Sequence, residues 1–302
     1  MIKSILIIDD ERIQAESLSK SIRKEKEYVN CYIACEEDEI LSSIESIFFD
    51  VAIVDLRMDN YAIDGFSIIE KIIEINPFSK IIIVSAYTHE YINQLKNILL
   101  SGKIIGIIEK KEYKQFLSEI IVTLSKYEET HFNDPSETAK ALTSFYANAK
   151  NETNTYQKGI VFEQFVAILF SNMGFANINK RVLDKSRNEV DLVLRNEIND
   201  NFFSKFAPYI LVECKNKPND PVGKNDFIQF YSKLKNTNGL ANLGFLITTG
   251  YIAKTTYIEA VRTSSEKCKV IFLSNPEIEK LINSITPLLE LKKLIDEQIK
   301  DN

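Results

Sequence analysis

Tyr209-Ile210-Leu211-Val212-Glu213-Cys214-Lys215 runs from an apolar stretch into two charged residues. Just upstream, Glu189-Val190-Asp191-Leu192-Val193-Leu194 carries its acids into another apolar stretch. Both runs are short, β-branched and free of a helical repeat, so both read as strands. Apolar on both faces, they belong inside an α/β sheet, where charges are rare unless paired or metal-bound. Side chains repeat every two residues along a strand, which places Glu213 and Lys215 on one face and Cys214 on the other. Two carboxylates and an ammonium on neighbouring strands suit phosphodiester cleavage. Asp191 and Glu213 can hold one or two Mg²⁺ ions, which activate water and relieve charge on the phosphate. Lys215 can orient that water or stabilise the pentavalent phosphorus. An exposed edge strand of alternating charge is the competing reading, and the apolar flanks argue against it.

Outward from these strands, residues 157–302 begin with an amphipathic helix, Gln157 to Met173. Strands follow near 177–183, 189–195 and 209–215, then a helix near 225–236 and a strand at 243–248. A helix near 252–263, a strand at 269–273 and a charged helix around 276–299 close the chain. No helix separates the strands of 177–195, so they form a hairpin and the sheet is mixed. Glu163 lies among Ile160, Val161, Phe162, Phe165 and Val166, at a spacing that turns it inward as a third carboxylate. Gln229 is a candidate assisting residue. The loop from Asn196 to Pro208 holds Phe202, Phe203 and Phe206, which either stack on bases or a partner, or anchor the loop.

Residues 127–156 are polar at both ends and Ala-rich between, and read as a partly helical linker. Residues 1–126 alternate strand candidates (Ile5–Ile8, Cys31–Ala34, Val51–Val54, Ile81–Ser85, Ile104–Ile108) with helical patterns at about 12–25, 38–48, 65–75, 89–101 and 111–126. That order is a doubly wound parallel sheet, in which functional groups gather at the carboxyl ends of the strands. Asp9, Asp10, Asp55, Ser85 and Lys110 all fall at such ends. Three carboxylates together repel unless a hard cation such as Mg²⁺ joins them. Asp55 can then act as a nucleophile toward a phosphoryl group, with Lys110 offsetting charge and Ser85 bonding the product.

Leu6-Ile7-Ile8-Asp9-Asp10-Glu11, Val54-Asp55-Leu56-Arg57-Met58, Val84-Ser85-Ala86 and Ile108-Glu109-Lys110 resemble the receiver domain of bacterial response regulators. The resemblance covers residues 1–126. It implies a flavodoxin-like (βα)5 fold with Asp55 as phosphoacceptor, Asp9, Asp10 and Asp55 holding Mg²⁺, and Ser85 and Lys110 as the phosphate switch. It further implies a histidine kinase or phosphotransfer protein as partner and pairing into a homodimer on phosphorylation. Asp59, Lys111 and Ile107 depart from the family pattern, and the loop before Gly65 is longer than usual.

Asp191 with Glu213-Cys214-Lys215-Asn216, Pro221-Val222-Gly223, Phe227-Ile228-Gln229-Phe230-Tyr231 and Gly244-Phe245-Leu246-Ile247-Thr248-Thr249-Gly250 resemble the PD-(D/E)xK nucleases, more closely the Mrr-type restriction endonuclease catalytic domain. That resemblance implies a restriction-endonuclease-like α/β fold with a mixed sheet. It also implies DNA as substrate and Mg²⁺ as cofactor, with Mn²⁺ able to substitute. Together the two halves imply a phosphorylation-controlled endonuclease of a two-component system, suited to defence against foreign DNA. The alternative is a response regulator whose degenerate nuclease fold binds DNA or protein without cutting.

Composition agrees with this picture. Residues 158–269 hold 16 Lys and Arg against 11 Asp and Glu, a basic stretch in a chain of net charge −6, so a polyanionic partner fits there. The chain has 2 His, His89 and His131, neither in a triad setting, which argues against His-dependent catalysis. Cys31, Cys35, Cys214 and Cys268 lack zinc-site spacing and read as free thiols in a reducing cytoplasm. No apolar run is long enough for a membrane helix.

Overall fold

The computed structural model describes residues 2–58, 61–76, 78–86, 98–131, 135–183, 189–263 and 267–300. They form two compact units, Met1–Asp134 and Pro135–Asn302.

In the first unit, five parallel strands stand in the order β2-β1-β3-β4-β5: β1 (Ser4–Ile8), β2 (Asn30–Ala34), β3 (Val51–Asp55), β4 (Lys80–Ser85) and β5 (Ile104–Glu109). The two-residue period splits the apolar strands into two cores. Ile5 and Ile7 pack with Ala15, Leu18 and Ile22 of α1 (Arg12–Glu25) and with Phe116, Ile120 and Leu124 of α4 (Tyr113–His131). Leu6 and Ile8 pack with Ile40 and Ile44 of α2 (Glu37–Ser46) and with Ile68, Ile69 and Ile72 of α3 (Gly65–Ile75). This is the expected flavodoxin-like arrangement. The helix expected over 89–101 falls largely on residues outside the described ones, as does Asp59.

The second unit is built on a mixed sheet of order β12-β10-β8-β7-β6. Its strands are β6 (Ile178–Leu183), β7 (Glu189–Arg195), β8 (Tyr209–Lys215), β10 (Ala241–Thr248) and β12 (Lys269–Leu273). β6 and β8 flank β7 antiparallel, while β8, β10 and β12 run parallel. A two-residue parallel pair, β9 (Pro221–Val222) with β11 (Tyr251–Ile252), was not legible in the sequence. α7 (Lys224–Lys235) lays Phe227, Phe230 and Leu234 on one sheet face, against Leu211 and Leu246. α6 (Thr155–Asn172) carries Phe170 to Phe245 of β10, with ring centroids 5.2 Å apart. α8 (Lys254–Arg262) follows β11.

One stretch differs from the sequence reading, and the helical part expected in the linker packs into this unit. Residues 135–151, within the expected linker, form α5, whose Tyr146 ring lies 4.9 Å from Phe165 of α6 and whose Ala149 is buried. The polar ends of that stretch masked an apolar stripe that this unit needs. The charged helix expected over 276–299 is two helices, α9 (Asn275–Asn283) and α10 (Pro287–Lys300). Ser284 turns extended, with ψ 133°. Pro287 disfavours a helical Thr286 and then opens the next helix as its first residue. The aromatic loop resolves as an anchor. Phe203 is fully buried, edge-on to Phe175 at 5.3 Å and to Phe202 at 5.3 Å. Burying such a ring is worth roughly 1.5–3 kcal/mol. Among the described residues no helix is long and apolar enough to cross a membrane. All four cysteines are free thiols.

Candidate active site

At the carboxyl edge of the first sheet, β1 ends at Ile8 and delivers Asp9 and Asp10, while β3 ends on Asp55 itself. Among the described residues these three acids form a group whose ligand oxygens all lie within 4.8 Å of one another. Such a cluster of hard oxygens is the donor set a divalent cation requires. Lys110, the residue after β5, reaches in with Nζ 2.7 Å from Asp9 Oδ2 and 2.5 Å from Asp55 Oδ2. Burial and Asp9 push the Asp10 carboxyl up. Burial also raises Asp55, against the pull of Lys110. Burial works against the Lys110 charge, but Asp55 and Asp9 outweigh it and hold its pKa above the ordinary value. Ser85 closes β4 and is buried, and its carbonyl accepts from the Lys110 N–H at 2.9 Å. Gly65 is required at the start of α3. A Cβ there would stand 2.4 Å from the Asp55 carbonyl oxygen and 2.5 Å from Leu56 Cα.

In the second sheet, the β7–β8 ladder is paired from Arg195–Tyr209 to Leu192–Val212. At the next residue, Asp191, a side chain takes over. Its Oδ2 accepts the Cys214 N–H at 2.6 Å. Asp191 and Glu213 therefore meet where the strands cease to pair. Glu213 shares the face of Leu211, the face that α7 covers. Lys215 Nζ donates to Glu213 Oε1 at 2.8 Å. Lys233 of α7 donates to Glu213 Oε2 at 2.9 Å and to the Glu189 carbonyl at 2.7 Å. Burial opposes the Lys215 charge, and Glu213 overrides it and raises its pKa. Asp191 is pushed up to about 7, first by burial and then by Glu213.

Glu163 does turn inward from α6, where Arg181 Nε meets its Oε2 at 3.0 Å. Burial raises the Glu163 carboxyl and Arg181 pulls it back. Arg181 is left-handed, with φ +53°, an uncommon conformation for a residue with a side chain. It stands across β6–β7 from Asp191, between the pairs Lys180–Leu192 and Val182–Val190. Neighbours on a strand ordinarily face opposite ways. Here the left-handed residue turns both Lys180 and Arg181 onto α6, Lys180 to Gln164 at 2.7 Å and Arg181 to Glu163. Gln229 is exposed on α7, one turn before Lys233. Asp191, Glu213, Lys215 and Glu163 are legible in the sequence as candidates, whereas Lys233 and Arg181 are not. The i, i+4 spacing of Gln229 and Lys233 was the one available signal.

Residues 5–122 match the family model of the response regulator receiver domain, and residues 156–282 match that of a restriction endonuclease domain. The chain joins a receiver domain to a restriction-endonuclease-like domain. Many solved structures resemble the receiver half, among them two at 26% identity. One is a response regulator receiver domain protein from Methanospirillum hungatei JF-1, 26% identical, with 43% of this chain and 98% of that chain covered and a TM-score of 0.35. The other is the response regulator TrrA from Thermotoga maritima in complex with Mg²⁺-BeF, 26% identical, covering 40% and 98%, with a TM-score of 0.33. No curated protein matches the chain. The pairing is that of a response regulator with a nuclease-like effector.

The restriction-endonuclease-like domain is expected to show a pH signature in EDTA. Asp191 keeps its proton up to about pH 7 when folded but only to about 3.8 when unfolded. The folded state therefore binds more protons between those values, and stability falls as pH rises through that window. Asp191→Asn, which keeps an acceptor for Cys214, is expected to raise the melting temperature of this domain by several degrees at pH 8 in EDTA. The gain should vanish at pH 4. Calorimetry at both pH values checks this, and a lower melting temperature at pH 8 would contradict it.

Proposed function

We propose that the chain is a Mg²⁺-dependent DNA endonuclease whose activity is set by phosphorylation of Asp55. The observation that carries the nuclease reading is Asp191, Glu213 and Lys215 converging where β7 and β8 stop pairing, on a match to a restriction endonuclease family. The cation supplies charge relief on the phosphate and activation of water. Asp191 and Glu213 would hold it. Lys215 Nζ, kept beside Glu213, is placed to orient the attacking water and to stabilise charge as the phosphorus–oxygen bond to the leaving group breaks. Glu163, paired with Arg181, is the candidate third carboxylate.

In the receiver domain, Asp9, Asp10 and Asp55 would hold a second Mg²⁺. Asp55 would accept a phosphoryl group from a histidine kinase or phosphotransfer protein, and Lys110 and Ser85 would bond its oxygens. Pairing of two phosphorylated chains would bring together two nuclease domains, one for each DNA strand. An enzyme held inactive until signalled suits defence against foreign DNA. The direct test is nicking of a supercoiled plasmid by purified full chain with Mg²⁺, with and without acetyl phosphate. Donor-stimulated, EDTA-sensitive nicking is expected. Mn²⁺ should support the same reaction.

A binding-only regulator is the second reading. It is favoured by the pairing of both Glu213 oxygens, and of Glu163 Oε2, with cations of the protein itself. Metal-dependent turnover on the plasmid separates the two.

A further inference from the structure

Glu213 is the most enclosed acid of the nuclease site, and both of its oxygens are engaged. Its side chain is 7% exposed, with Lys215 on Oε1 and Lys233 on Oε2 at 2.8 and 2.9 Å. A cation that binds either oxygen must therefore compete with a lysine for it. The two lysines are not equivalent. Lys215 is two residues from Glu213 on the same strand, and its charge is also drawn by Asp191 and Asp226. Lys233 comes from a different element, α7, and its second partner is a neutral carbonyl, that of Glu189. Its side chain is 22% exposed, about as open as the 26% of Lys215, so it too has a route outward, and what sets it apart is its place on α7.

We infer that Lys233 is an exchangeable phosphate contact. It caps Glu213 in the resting protein and moves to a backbone phosphate of bound DNA once Glu213 turns to a divalent cation. The inference rests on the nuclease reading. An ammonium has three donors and no acceptor, so a Lys233 displaced by a neighbouring positive charge needs another anion. A phosphate at the site mouth supplies one. Cation and DNA then favour each other's binding, because each takes one partner of the Lys233–Glu213 pair. The surrounding stretch, 158–269, is the basic part of the chain.

The test is binding of a fluorescein-labelled DNA duplex to full-length protein by anisotropy at stepped KCl concentrations. It is run in EDTA and in Ca²⁺ as the probe cation, with gels to monitor cleavage. A phosphate contact adds about 0.9 to the slope of log K against log salt. In EDTA, wild type and Lys233→Gln should have equal slopes. In Ca²⁺, wild type should be steeper than Lys233→Gln by about 0.9, and Lys233→Arg should restore the wild-type slope. A lysine that merely braces Glu213 would not make the difference depend on the cation. Equal slopes for wild type and Lys233→Gln in Ca²⁺, in a protein that binds DNA and nicks plasmid, overturn the exchange alone. Absence of both DNA binding and nicking in wild type overturns the nuclease reading and the exchange with it.

Discussion

Lys215→Ala is expected to lower Mg²⁺-dependent nicking by about 10³-fold, because a positioned charge at a developing oxyanion is worth roughly 10²–10³ in rate and proton-transfer assistance adds to it. Lys215 and Lys233 meet different oxygens of Glu213. Lys215 Nζ lies 2.8 Å from Glu213 Oε1, whereas Lys233 approaches the other oxygen from α7. Arginine is not equivalent, since its planar fork places charge differently and does not release a proton. Lys215→Arg should therefore remain at least tenfold below wild type. Single-turnover nicking at saturating protein reads the chemical step and separates it from DNA affinity, which should change only severalfold. A Lys215→Ala protein that cuts at the wild-type rate would remove Lys215 from the site.

Asp55→Ala is expected to abolish the whole of the acetyl phosphate effect on nicking. Asp55 ends a strand of the first sheet and sits within reach of Lys110 Nζ, at 2.5 Å. Asp9, although also paired to Lys110, follows its strand and turns its Oδ1 to the Glu11 N–H at 2.9 Å. On the proposed reading, loss of Asp55 would remove the nucleophile, while loss of Asp10 would weaken binding of the cation on which the transfer would depend. The check is donor-dependent incorporation of phosphate alongside the nicking rate. Donor-stimulated nicking that survives in Asp55→Ala would break the link between the domains.

Much of this was written in local pattern. The acids of the receiver domain sit at strand ends, and strand ends are set by short β-branched runs such as Leu6-Ile7-Ile8 that are buried on both faces. Glu213 and Lys215 were legible for the same reason, since alternation along one strand fixes their common face. Lys233 was not, because a lysine on a helix is solvated by default. What carries it to Glu213 is the rotation of α7 set by Phe227, Phe230 and Leu234 against the sheet. Arg181 was hidden more deeply, because nothing in its side chain favours φ +53°. The break between α9 and α10 could have been read from Thr286-Pro287, and the helical pattern on either side concealed it.

Asn216, the residue after Lys215, donates its amide to two carbonyls at 2.8 Å each, Ala149 in the last turn of α5 and Lys158 in the first turn of α6. Thr249 completes the clasp by donating to the Asn216 amide oxygen at 2.9 Å. In mechanical terms, Asn216 is a rivet through three elements. The end of α5 cannot slide past the β8 terminus without breaking hydrogen bonds at a partly buried post. Displacement of the end of α5 would therefore be felt at the peptide adjoining Lys215.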